Sequence, residues 1–470
     1  MVRELRVDAF YARISAAATA AAAAGSTSPL LILPSAADAD SLCAVRALAH
    51  VLAADSVRFS VYPVASASAS ASAPLCLVLV NWGAHRDLVR AVLPETATAF
   101  VVDSHRPVHL HNLCARNARV VVLFTADDEQ AADLSYDFDL AALADASDPA
   151  AEGDADDPLR ADSDPVRLFG RLRREYYRVG TFHGKPSGCL MYELAHALRR
   201  NTNELLWLAC TLTDQFVHDR ITNERYQAAV MGLEQHVNGS GNLDPSGAGA
   251  VVTLKDGTKL RTWTDNGLKK LKLLLARMGF PLADCQKSFQ YMSMEVKRKM
   301  RGEFDRLLPE YGLTEFYYRS FLRVHGYSSK VSAADVVYGV TALLESLNAE
   351  SNVTKESSAA EQFWAAYSAL SLSNVDQLQK GMQSAIEIQR AILRQGSPAI
   401  SKTGFIRSAK KFRWVKLDDP VDTIKLCHPQ ALTKFCFFLM DALKERGARM
   451  KPLICSCLAK GPEKVLVVGA

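Results

Sequence analysis

The first 125 residues alternate short apolar runs with segments of helical spacing, and this alternation limits the fold more than any other feature. The apolar runs are typical of buried strands and lie at residues 30–33, 59–63, 75–80, 99–102 and 120–124. Helical spacing covers residues 2–24, 41–54 and 87–93. Strands that alternate with helices predict a mostly parallel sheet with helices on its faces. We therefore expect residues 1–125 to form an α/β domain.

The remainder of the chain divides into segments of different composition. We expect an acidic flexible insertion at 126–165, a helical continuation of the first domain at 166–237 and a Gly/Ser linker at 238–250. A helical region follows at 251–410, and residues 411–470 predict a partial α/β domain. Helical spacing within these segments covers residues 167–178, 188–200, 204–216, 223–234, 266–278, 284–308, 333–347, 376–393 and 428–446, with strand-like runs at 412–416 and 464–468.

Charge is distributed unevenly along the chain. The formal net charge is +4, but residues 126–164 contain fourteen acidic residues and one basic residue, Arg160, so that segment carries −13 and the remainder +17. A basic body with an acidic loop fits a nucleic-acid partner, or a loop that competes with one, and charge alone does not choose. Because no apolar run approaches about 20 residues, we expect no membrane partner. The ten cysteines contain no CxxC pair, which argues against zinc-ribbon and thioredoxin-type sites.

Polar residues follow three of the predicted strands. Asp38 and Asp40 follow the first, Asn81 follows the third, and Asp103 with His105 follows the fourth. Ligands of open parallel sheets bind beyond the carboxyl ends of the strands, where these side chains could hold a divalent metal. Each loop also has a structural explanation, since Asp40 or Ser41 could cap the next helix and His105 could lie in an ordinary turn. Their joint occurrence favours a pocket, without assigning an activity.

These motifs resemble the cell division control protein 45 family of eukaryotic replication factors. The resemblance rests on Asp38-Ala-Asp40-Ser-Leu-Cys-Ala, Asn81-Trp-Gly83, Asp103-Ser-His105-Arg-Pro107, Leu212-Thr-Asp214-Gln, Arg173-Arg-Glu-Tyr-Tyr, Met278-Gly-Phe-Pro-Leu and Ser332-Ala-Ala-Asp-Val-Val-Tyr. The motifs occur in order over nearly the whole chain. That family is in turn similar to the RecJ-like DHH phosphoesterases, which use two manganese ions. The resemblance implies a DHH-like α/β fold for the N-terminal domain, followed by the acidic insertion, the helical middle region and a truncated C-terminal α/β domain.

The resemblance to the DHH enzymes also implies which pocket residues are kept and which are lost. Carried over by position, Asp38, Asp40, Asp103, His105 and Asp214 are retained. The leading histidine position is Pro34, the carboxylate after the second strand of the pattern is Asn81, and the middle histidine is Ser104. Two metals held about 3.5–4 Å apart need several anionic ligands to offset their repulsion. We therefore expect a vestigial pocket with no metal, no cofactor and no catalysis, in which the remaining carboxylates are structural. The alternative is that they bind a single ion weakly.

The function implied by the resemblance is architectural. Members of that family join the minichromosome maintenance hexamer and the GINS complex at replication origin chromatin in the nucleus, forming the active replicative helicase. This chain has no GxxxxGK[ST] loop, so ATP hydrolysis would belong to the hexamer. The alternative from another class is a manganese-dependent single-strand DNA exonuclease or phosphoesterase of the DHH type. The substitutions at Pro34, Asn81 and Ser104 argue against that alternative.

Two basic clusters are candidates for contact with single-stranded DNA or a protein partner. They comprise Arg171, Arg173, Arg174 and Arg178 in one cluster and Lys297, Arg298, Lys299 and Arg301 in the other. Phosphate contact would need stacking aromatics nearby, such as Tyr176, Tyr177 or Phe182. The structural alternative is that both clusters are solvated helix faces or intramolecular partners of the acidic loop. The second cluster also resembles a weak nuclear import signal.

Two features depart from the family pattern. The Gly/Ser stretch at 238–250 stands where the family has a helical segment before Trp263-Thr-Asp-Asn-Gly267, and the sequence reaches Ala470 within the final α/β domain. We expect a sheet without its last strands to expose apolar surface.

Overall fold

The computed structural model describes most of the chain outside the acidic segment. The described residues are 3–64, 75–91, 93–114, 117–125, 165–178, 180–218, 223–239, 251–253, 259–261, 265–285, 292–307, 321–325, 329–345, 355–401, 404–417, 420–458 and 465–470. The predicted insertion therefore lies outside them except for Pro165, as does the Gly/Ser linker after Gly239. The chain forms two units, Met1–His236 with Arg323–Met382 and Val237–Leu322 with Gln383–Ala470. In the described part, no helix is long and apolar enough to cross a membrane.

Sixteen strands are present in the described residues. They are β1 (Arg3–Glu4), β2 (Leu31–Pro34), β3 (Ser60–Val61), β4 (Leu75–Val80), β5 (Ala97–Val102), β6 (His105–Arg106), β7 (Val120–Leu123), β8 (Phe182–His183), β9 (Val251–Thr253), β10 (Lys259–Arg261), β11 (Leu322–His325), β12 (Ser329–Ser332), β13 (Arg407–Ser408), β14 (Arg413–Leu417), β15 (Leu453–Leu458) and β16 (Val465–Gly469).

The helices of the described residues follow the same chain order. They are α1 (Val7–Ala23), α2 (Ala39–Ala54), α3 (Leu88–Ala91), α4 (Pro165–Tyr176), α5 (Ser187–Ala197), α6 (Asn203–His218), α7 (Asn223–Gly239), α8 (Asp265–Arg277), α9 (Leu282–Cys285), α10 (Met294–Leu307), α11 (Ala333–Leu344), α12 (Lys355–Ala369), α13 (Val375–Ser401), α14 (Pro420–Leu426) and α15 (Pro429–Glu445). Short 3-10 helices occur at Leu110–Leu113 and Leu372–Asn374.

The first unit is built on a six-stranded parallel sheet, as the alternating pattern predicts. Its strand order is β1-β7-β5-β4-β2-β3, and every pairing along it is parallel. Parallel strands need crossover connections, which α1, α2 and the 3-10 helix at Leu110–Leu113 help to provide. Because β2, β4 and β5 are adjacent and parallel, their carboxyl ends lie side by side at one edge of the sheet.

Both faces of this sheet are buried, which explains why its strands are continuous apolar runs. Leu77 and Leu79 of β4 belong to a core cluster on one face, where Tyr176 of α4 also packs. On the other face, Phe10 of α1 meets Phe100 edge-on with ring centroids 5.8 Å apart. Helices α11 and α12 return to this unit and pack on α6 and α2, respectively. Arg46 of α2 donates to the carbonyl oxygen of Tyr367 at 3.4 Å.

Several predicted elements differ from the structure. Residues 3–4 were expected in the first helix but form β1, because Arg3 and Glu4 pair with Val122 and Leu123 at the sheet edge. The single helix predicted at 284–308 is instead α9 and α10, and α10 begins at Met294 because the Ser293 hydroxyl accepts a hydrogen bond from Val296 N–H at 3.3 Å. The helix α12 and the strand β15 were not predicted.

The second unit contains a four-stranded sheet of order β13-β14-β15-β16. Strands β14 and β15 are parallel, and the two outer pairings are antiparallel. Helix α15, predicted at 428–446, packs on β15 and β16, and Phe435 at its centre is fully buried. The strand predictions at 412–416 and 464–468 are confirmed with shifts of one residue. Strand β16 exposes Val465 and Val467, each by more than half of its surface.

Candidate functional site

The carboxyl ends of β2, β4 and β5 bring the predicted pocket residues together. Asp38 and Asp40 follow β2, Asn81 directly follows β4, and Asp103 and Ser104 directly follow β5. All five side chains are buried. Because buried polar groups need hydrogen-bond partners, each of these side chains must find its partners inside the protein.

Asp38 has a local structural role at the start of α2. It is the N-cap residue, and one carboxylate oxygen accepts the Ser41 N–H at 2.6 Å. The other oxygen accepts the Ser41 hydroxyl at 3.0 Å. The expectation that Asp40 or Ser41 caps the helix was therefore two or three positions too late, because the helix begins at Ala39 and its N-cap is Asp38. Asp38 satisfies an N–H group that the first turn of the helix leaves unpaired.

Asn81 lies at the centre of the pocket and connects its carboxylates. Its amide nitrogen donates to Asp38 Oδ1 at 3.1 Å and to Asp40 Oδ2 at 2.8 Å. Its amide oxygen accepts the Ser104 N–H at 2.9 Å and the Ser187 hydroxyl at 2.6 Å. The backbone here has a φ of 51°, a left-handed conformation that asparagine tolerates better than most residues. Both N–H donors of the amide thus point at the two acids.

Asp40 receives further donors from the N-terminus of α5. The backbone N–H groups of Ser187 and Gly188 each donate to its carboxylate at 2.8 Å. Helix N-termini stabilise negative charge through unpaired N–H groups and the helix dipole. Burial, together with the nearby Asp38 carboxylate, nevertheless raises the pKa of Asp40 to about 6. Asp40 therefore accepts from several internal donors, yet its burial favours the protonated form more than in an exposed aspartate.

Ser187 and Gly188 are site residues that sequence reasoning missed. The available signal was Pro186-Ser187-Gly188 immediately before a helical run, which is typical of a helix start. Gly188 also allows α5 to approach α2 closely. A Cβ at this position would lie 2.4 Å from Leu212 Cδ1 and 3.0 Å from Cys43 Cβ, so a larger residue would separate the helices.

Asp103 and His105 form a second group beside the Asn81 network, which comprises Asn81 and the residues that hydrogen-bond to it, Asp38, Asp40, Ser104 and Ser187. Asp103 Oδ1 accepts the His105 N–H at 2.8 Å and lies 2.8 Å from the His105 Nδ1. The His105 ring lies 5.0 Å from the ring of His183, where β6 pairs with β8. Burial lowers the pKa of His183 to about 4, and His105 contributes in the same direction. Asp214 lies on α6, but its side chain is outside the described part of the structure.

The central donor set does not fit the two-metal site of the DHH pattern. Pro34 ends β2 and offers no side-chain ligand, while its carbonyl oxygen accepts the Val64 N–H at 2.9 Å. Asn81 directs a nitrogen with two protons at the acids, where a metal site needs an electron pair. Ser104 contributes a hydroxyl 3.3 Å from Asn81 Oδ1 in place of an imidazole. The amide nitrogen thus provides the partial positive charge that a cation would otherwise supply.

The first basic cluster forms an exposed stripe on α4 and the residues just after it. Arg171, Arg174 and Arg178 are exposed and spaced by three and four residues, as one helix face requires. Tyr176 lies on the opposite face, buried, and its hydroxyl donates to Val108 O at 2.7 Å. The expectation that Tyr176 is free to stack on a base is therefore wrong. Tyr177 and Phe182 are half-buried.

The second basic cluster lies on α10. Arg298 and Lys299 are exposed, and Lys297 is half-buried. Lys299 Nζ lies 2.8 Å from Glu295 one turn earlier, an exposed pair of the kind that contributes little to stability. The side chain of Arg301 is outside the described residues. Arg173, the remaining residue of the first cluster, is exposed and lines a separate cavity near α4.

Comparison with known proteins gives consistent similarities. The sequence profile of the CDC45 family matches residues 30–167, 167–250 and 257–470. A cell division control protein 45 homolog of Schizosaccharomyces pombe is 25% identical, over 92% of this chain and 84% of that protein. The Homo sapiens homolog is 26% identical, over 92% and 86%, respectively. The crystal structure of CDC45 from Entamoeba histolytica matches with a TM-score of 0.60 at 17% identity, over 99% of this chain and 88% of that chain.

Proposed function

Because the chain belongs to the CDC45 family, we propose that it is a non-catalytic DNA replication factor that joins the minichromosome maintenance hexamer and the GINS complex in the replicative helicase. The names of its relatives, as cell division control proteins, support a role in the cell cycle. The observation that carries the non-catalytic part is the position of the Asn81 amide nitrogen between Asp38 and Asp40.

The chemistry of this pocket supports a structural role. Metal-assisted hydrolysis needs carboxylates that are available to hold a cation and a water molecule between them. Here the two acids are turned toward internal donors from Asn81, Ser41, Ser187 and Gly188. These contacts connect the ends of β2, β4 and β5 to the start of α5. The pocket therefore acts as a polar joint that fixes the sheet edge to the helix layer.

The proposed mechanism is that the folded chain braces the helicase ring and contacts single-stranded DNA. The exposed arginines of α4 provide positive charge for the phosphate backbone. The acidic segment at 126–164 would offer a surface for regulatory contacts or compete for the same basic face. This role places the protein in the nucleus, at origin chromatin.

The first test is affinity purification of the full chain from replicating nuclear extract, with mass spectrometry of the captured proteins. We expect the minichromosome maintenance hexamer and GINS to be recovered together, from nuclease-treated extract as well, because the proposed contacts are protein contacts. A bait denatured before coupling serves as the background control. Recovery of neither complex by the folded chain would contradict the proposal.

A nuclease assay separates this proposal from the DHH-type alternative. The full chain is incubated with end-labelled single-stranded DNA and Mn²⁺, and nucleotide release is compared with that of Asp103→Ala. We expect no release above background for either protein. Manganese-dependent release that disappears in Asp103→Ala would favour the exonuclease or phosphoesterase and refute the non-catalytic assignment.

The DNA contact is tested by reversing charge in the arginine stripe of α4 and the residues just after it. The variant Arg171→Glu/Arg174→Glu/Arg178→Glu leaves Arg173 intact, and Lys410→Glu/Lys411→Glu/Lys444→Glu is a matched control with the same change in charge at exposed lysines of the second unit. If each arginine contacts one phosphate, the plot of the logarithm of the DNA-binding constant against the logarithm of the salt concentration becomes less steep. The magnitude of its slope decreases by about 2 for three lost contacts. An equal change in both variants would indicate a net-charge effect and reject α4 as the contact.

A further inference from the structure

Two imidazoles and a carboxylate converge in the first unit, away from the Asn81 network. Asp87 precedes α3, and His109 and His111 flank the start of the 3-10 helix at Leu110–Leu113. One ligand atom from each of the three lies within 4.8 Å of the others. The two imidazole rings stack with centroids 5.2 Å apart, and His111 Nδ1 lies 3.9 Å from Asp87 Oδ2. We refer to Asp87, His109 and His111 as the His-Asp cluster.

A buried asparagine fixes the two loops that carry this cluster. The Asn112 amide nitrogen donates to Ala84 O at 3.0 Å and to Arg86 O at 2.7 Å, and its oxygen accepts the Leu88 N–H at 3.1 Å. The His109 N–H donates to Ala84 O at 2.8 Å. Asp87 therefore belongs to a loop whose backbone is tied to the histidine loop on both sides. Such rigid support keeps the three side chains near a binding geometry before any ion or molecule binds.

Space and an unsatisfied nitrogen are present at the same place. The cluster lines a cavity of about 270 Å³ that is also bounded by Phe169, Arg173 and Tyr177. Among the described residues, the buried Nδ1 of His109 has no hydrogen-bond partner. A buried nitrogen that is left unsatisfied beside a cavity has a lone pair or a proton available for a ligand.

We propose that Asp87, His109 and His111 bind one Zn²⁺ ion, with the remaining coordination position open to the cavity. Two imidazole nitrogens and one carboxylate oxygen form a borderline ligand set, which suits Zn²⁺ better than Mg²⁺ or Ca²⁺. With Zn²⁺ bonds of about 2.0–2.1 Å, tetrahedral ligand atoms lie roughly 3.3 Å apart. The ligand atoms of the three side chains lie up to 4.8 Å apart, and modest side-chain rotation would shorten these separations to about that value.

Two arginines at the cavity limit the affinity and shape the open position. Arg90 Nε lies 3.7 Å from Asp87 Oδ2, and its backbone N–H donates to Asp87 Oδ1 at 3.2 Å. The Arg90 side chain is 65% exposed, so its guanidinium can turn into water when the ion takes the oxygen. Arg173 lines the same cavity. Both positive charges favour an anion, such as chloride or hydroxide, as the fourth ligand.

The bound ion would fasten the loop before α3 to the 3-10 helix. The Leu110 N–H donates to the Tyr177 hydroxyl at 3.3 Å, so the histidine loop also contacts the end of the helix that carries the arginine stripe. A Zn²⁺ ion here would therefore stiffen the support of that basic surface. This site is separate from the Asn81 network, and its existence does not depend on the proposed function.

The experiment titrates chelator-treated full-length protein with Zn²⁺ by calorimetry and with Co²⁺ by visible absorption, in phosphate-free buffer. We expect one equivalent to bind, with Co²⁺ bands of a tetrahedral nitrogen and oxygen site. His111→Ala and Asp87→Asn should each bind at least tenfold more weakly. His50→Ala, which removes an exposed histidine on α2, is the matched control and should bind as the wild type does.

Thermal unfolding with and without Zn²⁺ provides a second readout for each variant. Zn²⁺ should raise the Tm of the wild type and of His50→Ala, and should raise that of Asp87→Asn by less at the same Zn²⁺ concentration, because stabilisation by an ion that binds the folded state falls with its affinity. If His111→Ala does not fold, as judged by circular dichroism, His109→Gln replaces it. Equal binding by the wild type and the cluster variants, or Co²⁺ bands of thiolate ligation, would show that the cluster is an ion pair only.

Discussion

Replacing Asn81 by aspartate tests the central physical claim about the pocket. The substitution keeps the shape, the tolerance of the left-handed backbone and the oxygen that accepts from Ser104 and Ser187. It removes the nitrogen that donates to Asp38 and Asp40 and places a third carboxyl among them. Asn81→Asp therefore replaces the amide that donates to both acids by a titratable carboxyl of nearly the same shape.

The size of the effect follows from proton linkage. A third buried carboxylate beside two others is strongly unfavourable, so the folded Asn81→Asp variant keeps its new carboxyl protonated. Keeping that proton at pH 7.5, against an unfolded pKa near 3.9, costs about 5 kcal/mol. The cost falls by about 1.4 kcal/mol for each unit of lower pH and is near 2 kcal/mol at pH 5.5. A loss of 5 kcal/mol is comparable to the whole stability of many domains.

The assay is urea unfolding followed by circular dichroism at pH 5.5, 6.5 and 7.5. Asn201→Asp, at an exposed position, is the matched control and should shift the midpoint little at any pH. The exchange variant Asp38→Asn/Asn81→Asp restores one amide and two acids and keeps a competent helix cap, since asparagine caps as well as aspartate. It should recover most of the lost stability.

Two results would refute this reasoning. One is an Asn81→Asp protein that unfolds at the same urea concentration as the wild type at pH 7.5. The other is a destabilisation that does not change with pH, because proton uptake by the new carboxyl requires that dependence. Either result would mean that the amide does not hold the two acids together in the way the hydrogen bonds indicate.

Three further outcomes are expected. Gly188→Ala should destabilise the first unit by about 1–3 kcal/mol in urea unfolding, because its Cβ would lie 2.4 Å from Leu212 Cδ1, and no destabilisation would mean that α5 shifts freely. The wild type should lose about 3 kcal/mol of stability as pH rises from 4 to 6, because the pKa of Asp40 is raised to about 6 and the folded protein keeps a proton that the unfolded chain releases. Asp40→Asn should remove this loss. Equal pH dependence of stability in the two proteins would contradict the prediction. Asp422→Asn should destabilise the second unit by about 1–2 kcal/mol at pH 7, because Asp422 accepts from Arg394 at 2.5 and 3.2 Å. The pKa of Asp422 is lowered, so this contribution is lost as pH falls, and the stabilities of the variant and the wild type should converge in acid.

The parallel sheet could be predicted because its signal is local. Each buried strand is an apolar run, and the predicted run at 75–80 coincides with β4. Elements whose stability depends on a distant partner were missed. Strand β1 has no strand propensity in Arg3 and Glu4 and exists through its pairing with β7. Helix α12 has a weak apolar pattern and is held by packing on α2.

For the candidate site, spacing along the chain predicted which acids meet but not how they are satisfied. Asp38, Asp40 and Asn81 converge because three adjacent parallel strands end together, which the strand pattern implies. The donors from Ser187 and Gly188 come from about 147 residues farther along the chain, beyond the reach of any local pattern. The split between the Asn81 network and the Asp103–His105 pair likewise depends on side-chain direction.

The sequence by itself determined the class of fold, the residues at the strand ends and the family, because apolar periodicity and motif order are properties of the chain. Only the tertiary structure decided what those residues do. The position of an amide nitrogen between two carboxylates, and the convergence of Asp87, His109 and His111 beside a cavity, depend on distances of a few ångströms between separate loops. Hydrogen bonding and metal binding change over such distances, whereas sequence spacing determines them only loosely.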